Sequence, residues 1–259
     1  MTLPQAFLLF IAATLAGALN SVAGGGSFIS FPALLFTGVP SKLANTTNTV
    51  ALWPGSVASV GAYRQEIMAG PRGLRSLLVV SLIGGIIGAF VLLATPQSTF
   101  DKLLPFLLLF ATLLFAFGRR VSNNLRERAG RMNLPPWVLT VTVIILQLLT
   151  SIYGGFFGGG IGIVMLAVLA LWGMENIHLM NGLKTLLATC INGVAVIIFV
   201  ANGSVLWPQA VLMIVGAVLG GYGGAYYARQ IDPQKIRILV IVVGSLMTIY
   251  FFVRTFLLR

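Results

Sequence analysis

Long runs without an ionisable side chain constrain this chain more than any other feature. Residues 1–41, 43–63, 76–100, 103–118, 132–174, 185–228 and 238–253 contain no Asp, Glu, Lys or Arg. A helix that crosses the hydrocarbon of a bilayer needs about 20 mainly apolar residues, and three of these runs are long enough for two. Charged residues are 8% of the 259, whereas a soluble domain carries about a quarter. The chain therefore reads as an all-α polytopic membrane protein, with the lipid bilayer as its first partner. A water-soluble enzyme is excluded. Residues 3–19 are apolar like a signal peptide but lack a basic n-region, so they read as a mature membrane segment.

A net charge of +11 in a soluble protein would suggest nucleic acid. Here the basic residues sit in short loops between apolar segments, which is the positive-inside pattern, so no nucleic-acid partner is expected. One cysteine, Cys190, and one histidine, His178, cannot build a His/Cys metal site. No acid has evident access to His178 for a catalytic triad. No cofactor, metal or catalytic residue is expected.

The chain is internally duplicated. Gly24-Gly25-Gly26 matches Gly158-Gly159-Gly160 at an offset of 134 residues. After a two-residue gap the offset is 136, and Asn45, Asn48, Thr49 and Ser56 fall on Asn181, Lys184, Thr185 and Asn192. The same register places Gly84, Gly85 and Gly88 on Gly220, Gly221 and Gly224. Each half reads as five apolar segments: 4–21, 27–38, 43–63, 74–95 and 102–118, then 136–156, 161–173, 179–201, 206–228 and 235–253. Segments 27–38 and 161–173 are too short to cross upright and follow a triple glycine, which breaks a helix. They read as broken or re-entrant helices. The domain organisation is a first transmembrane repeat 1–118, a basic cytoplasmic linker loop 119–134, and a second repeat 135–259.

Five is odd, so the halves must be inverted, and the charges agree. Loop 64–75 carries Arg64, Arg72 and Arg75, while its counterpart 202–207 is uncharged. Loop 96–102 carries only Asp101 and Lys102, while its counterpart 229–237 carries Arg229, Lys235 and Arg237. With the five arginines of the linker, 11 of the 16 basic residues lie in three loops that read as cytoplasmic. Both termini are then outside, in a multi-pass protein of the cytoplasmic membrane.

Inverted repeats with broken helices place a substrate site between the repeats near mid-membrane. Helices starting at Ser27 and at Ile161 would direct free N–H groups and a partial positive charge there, which favours an anion. Ser27 is also a good N-cap residue, so a structural role competes. Close helix packing is the alternative for the glycines, and the preferred reading for Gly84, Gly85 and Gly88. Asn45, Asn48, Thr49 and Ser56 form one helical stripe, repeated by Asn181, Lys184, Thr185 and Asn192. In hydrocarbon these must face protein or water. Interhelical hydrogen bonds, worth about 0.6–2 kcal/mol each, are the other explanation. Lys184 is the natural counter-ion for an anion, but its long stem could also snorkel to the cytoplasmic surface. The candidate substrate-binding residues are Asn20, Gly24, Gly25, Gly26, Ser27, Asn45, Asn48, Thr49, Gly158, Gly159, Gly160, Asn181, Lys184, Thr185 and Asn192. Glu175 and His178 read as solvated turn residues. Trp53, Trp137, Trp172 and Trp207 read as core or interface. No acid lies within any segment, so a buried carboxylate relay is not expected.

The stretch GALNSVAGGGSFISFPALLFTGVPSKLANTTNTVALWPG and its echo GGFFGGGIGIVMLAVLALWGMENIHLMNGLKTLLATCING resemble the TauE/SafE family of sulfite exporters. Gly24–Gly26, Pro32, Gly38, Asn45–Asn48, Asn181 and Lys184 carry the resemblance. It implies a transporter that exports a small sulfur-containing anion, sulfite or an organosulfonate such as sulfoacetate, by alternating access. Ser27 is replaced by Ile161 in the second half and Asn48 by Lys184, so a symmetric site is in question. Import, cation coupling and a non-transporting assembly subunit stay open, as does a homodimer.

Overall fold

Each apolar segment becomes a helix. In the computed structural model, described over residues 1–22, 25–68, 73–129, 135–227 and 233–257, the chain is all-helical, with no strand among those residues. The first half forms α1 (Leu3–Val22), α2 (Ser27–Phe36), α3 (Ser41–Ala62), a short α4 (Arg64–Met68), α5 (Leu74–Ala94) and α6 (Gln97–Ala129). The second forms α7 (Pro136–Phe156), α8 (Ile161–Leu171), α9 (Ile177–Ala201), α10 (Trp207–Tyr227) and α11 (Pro233–Phe252), which runs into a π-helical turn, Val253–Leu257. Six stretches are long and apolar enough to span a bilayer, in α1, α5, α6, α7, α9 and α11 with its π-helical extension. The 10 residues of α2 and 11 of α8 reach only about half its hydrocarbon thickness.

Local chemistry fixes the boundaries. Pro40 and Pro135 precede α3 and α7, where a missing N–H costs no helical hydrogen bond. Asn176 caps α9, its Oδ1 accepting from the N–H groups of His178 and Leu179 at 2.9 and 3.2 Å. Lys42 closes the end of α5 by donating from Nζ to the carbonyls of Leu93 and Thr95 at 2.6 and 2.7 Å.

Two expectations need correction. The stretch 119–134 is not a loop throughout, because α6 continues to Ala129, with 130–134 outside the described residues. Its arginines, leucine, glutamate and alanine favour helix, and no Gly or Pro interrupts before Gly130. Loop 96–102 is likewise helical from Gln97, so Asp101 lies near the start of α6, where it accepts from Ser41 and from Gln97.

Glycines let helices touch at backbone distance, as small residues do in membranes. A methyl group on Gly84 of α5 would stand 2.9 Å from the Leu148 carbonyl of α7. One on Gly220 of α10 would overlap the Thr14 carbonyl of α1. Residues 84 and 220 are counterparts, as are 148 and 14, so the same contact is made twice. The pattern holds generally: α5 packs on α7 as α10 on α1, and α5 on α9 as α10 on α3. Counterparts that touch run in opposite directions. Trp53 of α3 donates from Nε1 to the carbonyl of Thr189 in α9, its own counterpart, at 3.0 Å. Thr46, nearer the start of α3, reaches Ser204 beyond the end of α9. Likewise Arg237 of α11 bonds the carbonyls of Phe115 and Ala116, while Phe252 meets Phe106 with ring centres 5.1 Å apart.

Candidate functional site

The two short helices begin beside one cavity. Gly160, at φ +77°, turns the chain into α8 in a left-handed conformation that a side chain would strain. The Tyr153 hydroxyl donates to the Gly159 carbonyl at 2.7 Å and holds this turn against α7. Among the described residues, the N–H groups of Gly160, Ile161 and Gly162 have no protein acceptor. At the first half's turn, the Gly26 N–H donates to Asn20 Oδ1 at 2.8 Å. Ser27 is not the cap: Gly26 occupies that position, and Ser27 is the first helical residue. No side chain caps the first turn of α2; Asn20 instead accepts from the Gly26 N–H just ahead of it.

The cavity has a volume of about 130 Å³. A single water requires about 10–15 Å³, so it accommodates a small polyatomic ion with water. Asn20, Gly25, Ser27, Thr49, Gly158, Gly160, Lys184, Thr185 and Asn192 all line it. The stem of Lys184 crosses the place where Gly162 has no side chain; a methyl group there would be 3.2 Å from its Cδ. Its Nζ donates to Asn181 Oδ1 at 3.2 Å, so Asn181 meets the cavity only through Lys184. Among the described residues no acid lines the wall, and Lys184 is its one charged group.

The remaining candidates lie elsewhere. Asn45, Asn48 and Gly159 border a second recess of about 10 Å³, with Ser27, Phe31 and Phe157. Asn45 donates from Nδ2 to the Phe156 carbonyl at 3.0 Å, and Asn48 accepts from the Ser30 hydroxyl. Gly26 is buried and lines neither space, and Gly24 lies outside the described residues. Glu175 and His178 are exposed. Among the described residues no three His, Cys, Asp or Glu side chains gather as a metal site would need.

Several wall residues were not among the candidates. Trp53, read as core or interface, lines the cavity with Leu52, Ser56 and Ser59. Extending the stripe of Thr49 by three, four, seven and ten residues reaches all four, so the helical period contained them. Phe115 and Phe157 had no such signal. They are brought in by edge-to-face contacts with Phe28 and Phe31 of α2, at 5.3 and 5.8 Å.

Comparison with known proteins identifies the family. The family described as "Sulfite exporter TauE/SafE" matches residues 9–251. A "Probable membrane transporter protein" of Haemophilus influenzae is 28% identical over 93% of this chain and 92% of its own length. "Probable membrane transporter protein ORF9" of a Sinorhizobium species is 29% identical, with 93% and 90% covered. "Probable membrane transporter protein YfcA" of Escherichia coli K12 is 26% identical, with 93% and 87% covered. No solved structure gives a significant match. With a match over nearly its whole length, the chain belongs to the TauE/SafE sulfite exporter family and is a multi-pass membrane transporter, not an enzyme.

Proposed function

We propose that this transporter moves a small sulfur oxyanion or organosulfonate out of the cell across the cytoplasmic membrane, by alternating access between two inverted repeats. The observation that carries the reading is the 130 Å³ cavity into which the α8 start and Lys184 converge, with no opposing acid among the described residues. The three amides at the α8 start, without an acceptor among the described residues, suit the oxygens of an anion, and an ammonium neutralises its charge. The antiparallel counterparts α3/α9 and α6/α11 support the inversion, and the basic loops support both termini lying outside. Exit needs no further driving force when the interior is negative, since one charge gains about 2.3 kcal/mol per 100 mV.

The test is flux in proteoliposomes of labelled sulfite, sulfoacetate and thiosulfate, with and without an imposed potential. Saturable flux of at least one, faster when the potential drives the anion out, is expected. Flux of none of them would overturn the proposal. Lys184→Ala removes one charge-assisted hydrogen bond, worth about 1.5–3 kcal/mol, so it should weaken half-saturation by roughly ten-fold or more while the protein stays folded. Unchanged half-saturation would return Lys184 to a snorkelling role.

A further inference from the structure

We propose that the substrate leaves past Asn45 and Asn48, through a vestibule that this inward-open structure holds shut, and that the exchange of Lys184 for Asn48 makes the cytoplasmic side the tighter-binding one. The inference rests on the transport reading above and adds to it a release path and an asymmetry of affinity.

The two recesses place one repeated pair, Asn48 and Lys184, in different surroundings, whereas Ser27 and Thr49 line the large cavity together with their own counterparts Ile161 and Thr185. The small one is bordered by Ser27, Phe28, Asn45 and Asn48. Their partners in the other half are Ile161, Gly162, Asn181 and Lys184, of which all but Asn181 line the large cavity. The Lys184 copy of the place therefore borders a space of about 130 Å³, and the Asn48 copy one of about 10 Å³.

Depth gives the two copies their sides. The large cavity follows α3 from Thr49 to Ser59, about 15 Å of helix, ending one turn before Ala62. On α9 it reaches Lys184, about 10 Å from the start at Ile177. The end of α3 and the start of α9 adjoin the basic loop 64–75 and the turn 174–176, on the side read as cytoplasmic. The small recess lies at the opposite end of α3.

That outer end is latched. Thr46 donates from Oγ1 to the Ser204 carbonyl, and the Leu206 N–H donates to Thr47 Oγ1 at 3.1 Å. Asn45 bonds the Phe156 carbonyl and Ser30 bonds Asn48. Phe157 lies edge-on to Phe31 beneath them. The counterparts of Thr46 and Thr47 are Gly182 and Leu183, which carry no hydroxyl, so the two threonine latches cannot be reproduced on the cytoplasmic side. Closure at the outer face is thus the better-bonded arrangement, and the unloaded protein rests open to the cytoplasm.

Opening the outer face would separate these latches and present Asn48 where the inner face presents Lys184. An amide replaces an ammonium, so an anion loses its charged partner on the way out.

Sided flux tests this. Vesicles with the protein in known orientation are titrated with labelled sulfite from each face, with sulfoacetate and thiosulfate in parallel. The cytoplasmic half-saturation should be about ten-fold lower than the outer one. Asn48→Lys should lower the outer value toward the inner, and Lys184→Asn should raise the inner value toward the outer. Equal values in the unaltered protein, or an outer value unmoved in a transporting Asn48→Lys protein, would overturn the inference and leave the transport reading intact. Absence of all flux would remove both.

A labelling measurement does not depend on the lysine variants folding. In a Cys190→Ala background, which removes the one cysteine, Ser59→Cys should react with an impermeant maleimide from the cytoplasmic side without substrate. Asn48→Cys should resist the reagent from outside until a transported anion is supplied. Labelling of Asn48→Cys from the cytoplasmic side alone, or immediate labelling from outside without substrate, would overturn the release path.

Discussion

Gly220→Ala and Gly221→Ala should move stability in opposite directions although the residues are adjacent. A methyl group on Gly220 would lie 2.6 Å from the Thr14 carbonyl carbon and nearer still to its oxygen. Ordinary contact requires about 3.4 Å or more, so to clear the oxygen α1 and α10 would have to separate by about 1.5 Å along their shared face. The obstacle is backbone and cannot rotate away. Overpacking of this kind costs about 1–3 kcal/mol. On Gly221 the nearest atom to a methyl would be the Gly17 carbonyl oxygen at 3.9 Å, an ordinary contact. There the substitution only removes backbone freedom from the unfolded chain, a gain of about 0.5–1 kcal/mol in a helix. Thermal unfolding of the purified protein in one fixed detergent reads both. At about 2–4 °C per kcal/mol, Gly220→Ala should melt roughly 2–12 °C lower and Gly221→Ala a few degrees higher or unchanged. If Gly220→Ala melts with the unaltered protein, the α1–α10 seam is not backbone-to-backbone. The account of the repeated glycines would then fail in both halves, since Gly84 makes the same contact with α7.

Other outcomes follow from the site. Gly160→Ala meets no atom closer than 3.5 Å, so its cost is the left-handed backbone alone, about 1–2 kcal/mol; it should weaken anion half-saturation, and an unaltered value would mean the α8 start does not face the substrate. Tyr153→Phe leaves the Gly159 carbonyl without its donor, a loss of about 1–3 kcal/mol that calorimetry or thermal unfolding should register. Reporter domains fused to either terminus should report the outside; a cytoplasmic C-terminus would refute the inverted arrangement.

Much of this molecule was legible before folding. Charge-free runs demand helices, because lipid offers no partner for an open backbone. The break points at Gly26/Ser27 and Gly160/Ile161 fell on the residues where α2 and α8 begin, because glycine alone interrupts such apolar stretches at little steric cost. The polar stripe of α9 was readable from its period, and Lys184, Thr185 and Asn192 do border one cavity. Less was readable where local rules are permissive. The arginine-rich segment after α6 suits either a solvated loop or a helix, and only its continuity with α6 decides for helix.

Sequence alone determined that the chain is an all-helical polytopic membrane protein, since hydropathy is a property of order along the chain. Tertiary structure alone decided which residues of the two repeated stripes face the cavity. Asn45 and Lys184 occupy matching stripes, yet Asn45 is spent on the Phe156 carbonyl while Lys184 borders the open space. The physical reason is that two similar but unequal halves packed about one centre need not close equally at both ends. Closure depends on hydrogen bonds between residues more than a hundred positions apart, such as Thr46 with Ser204, which no local pattern encodes.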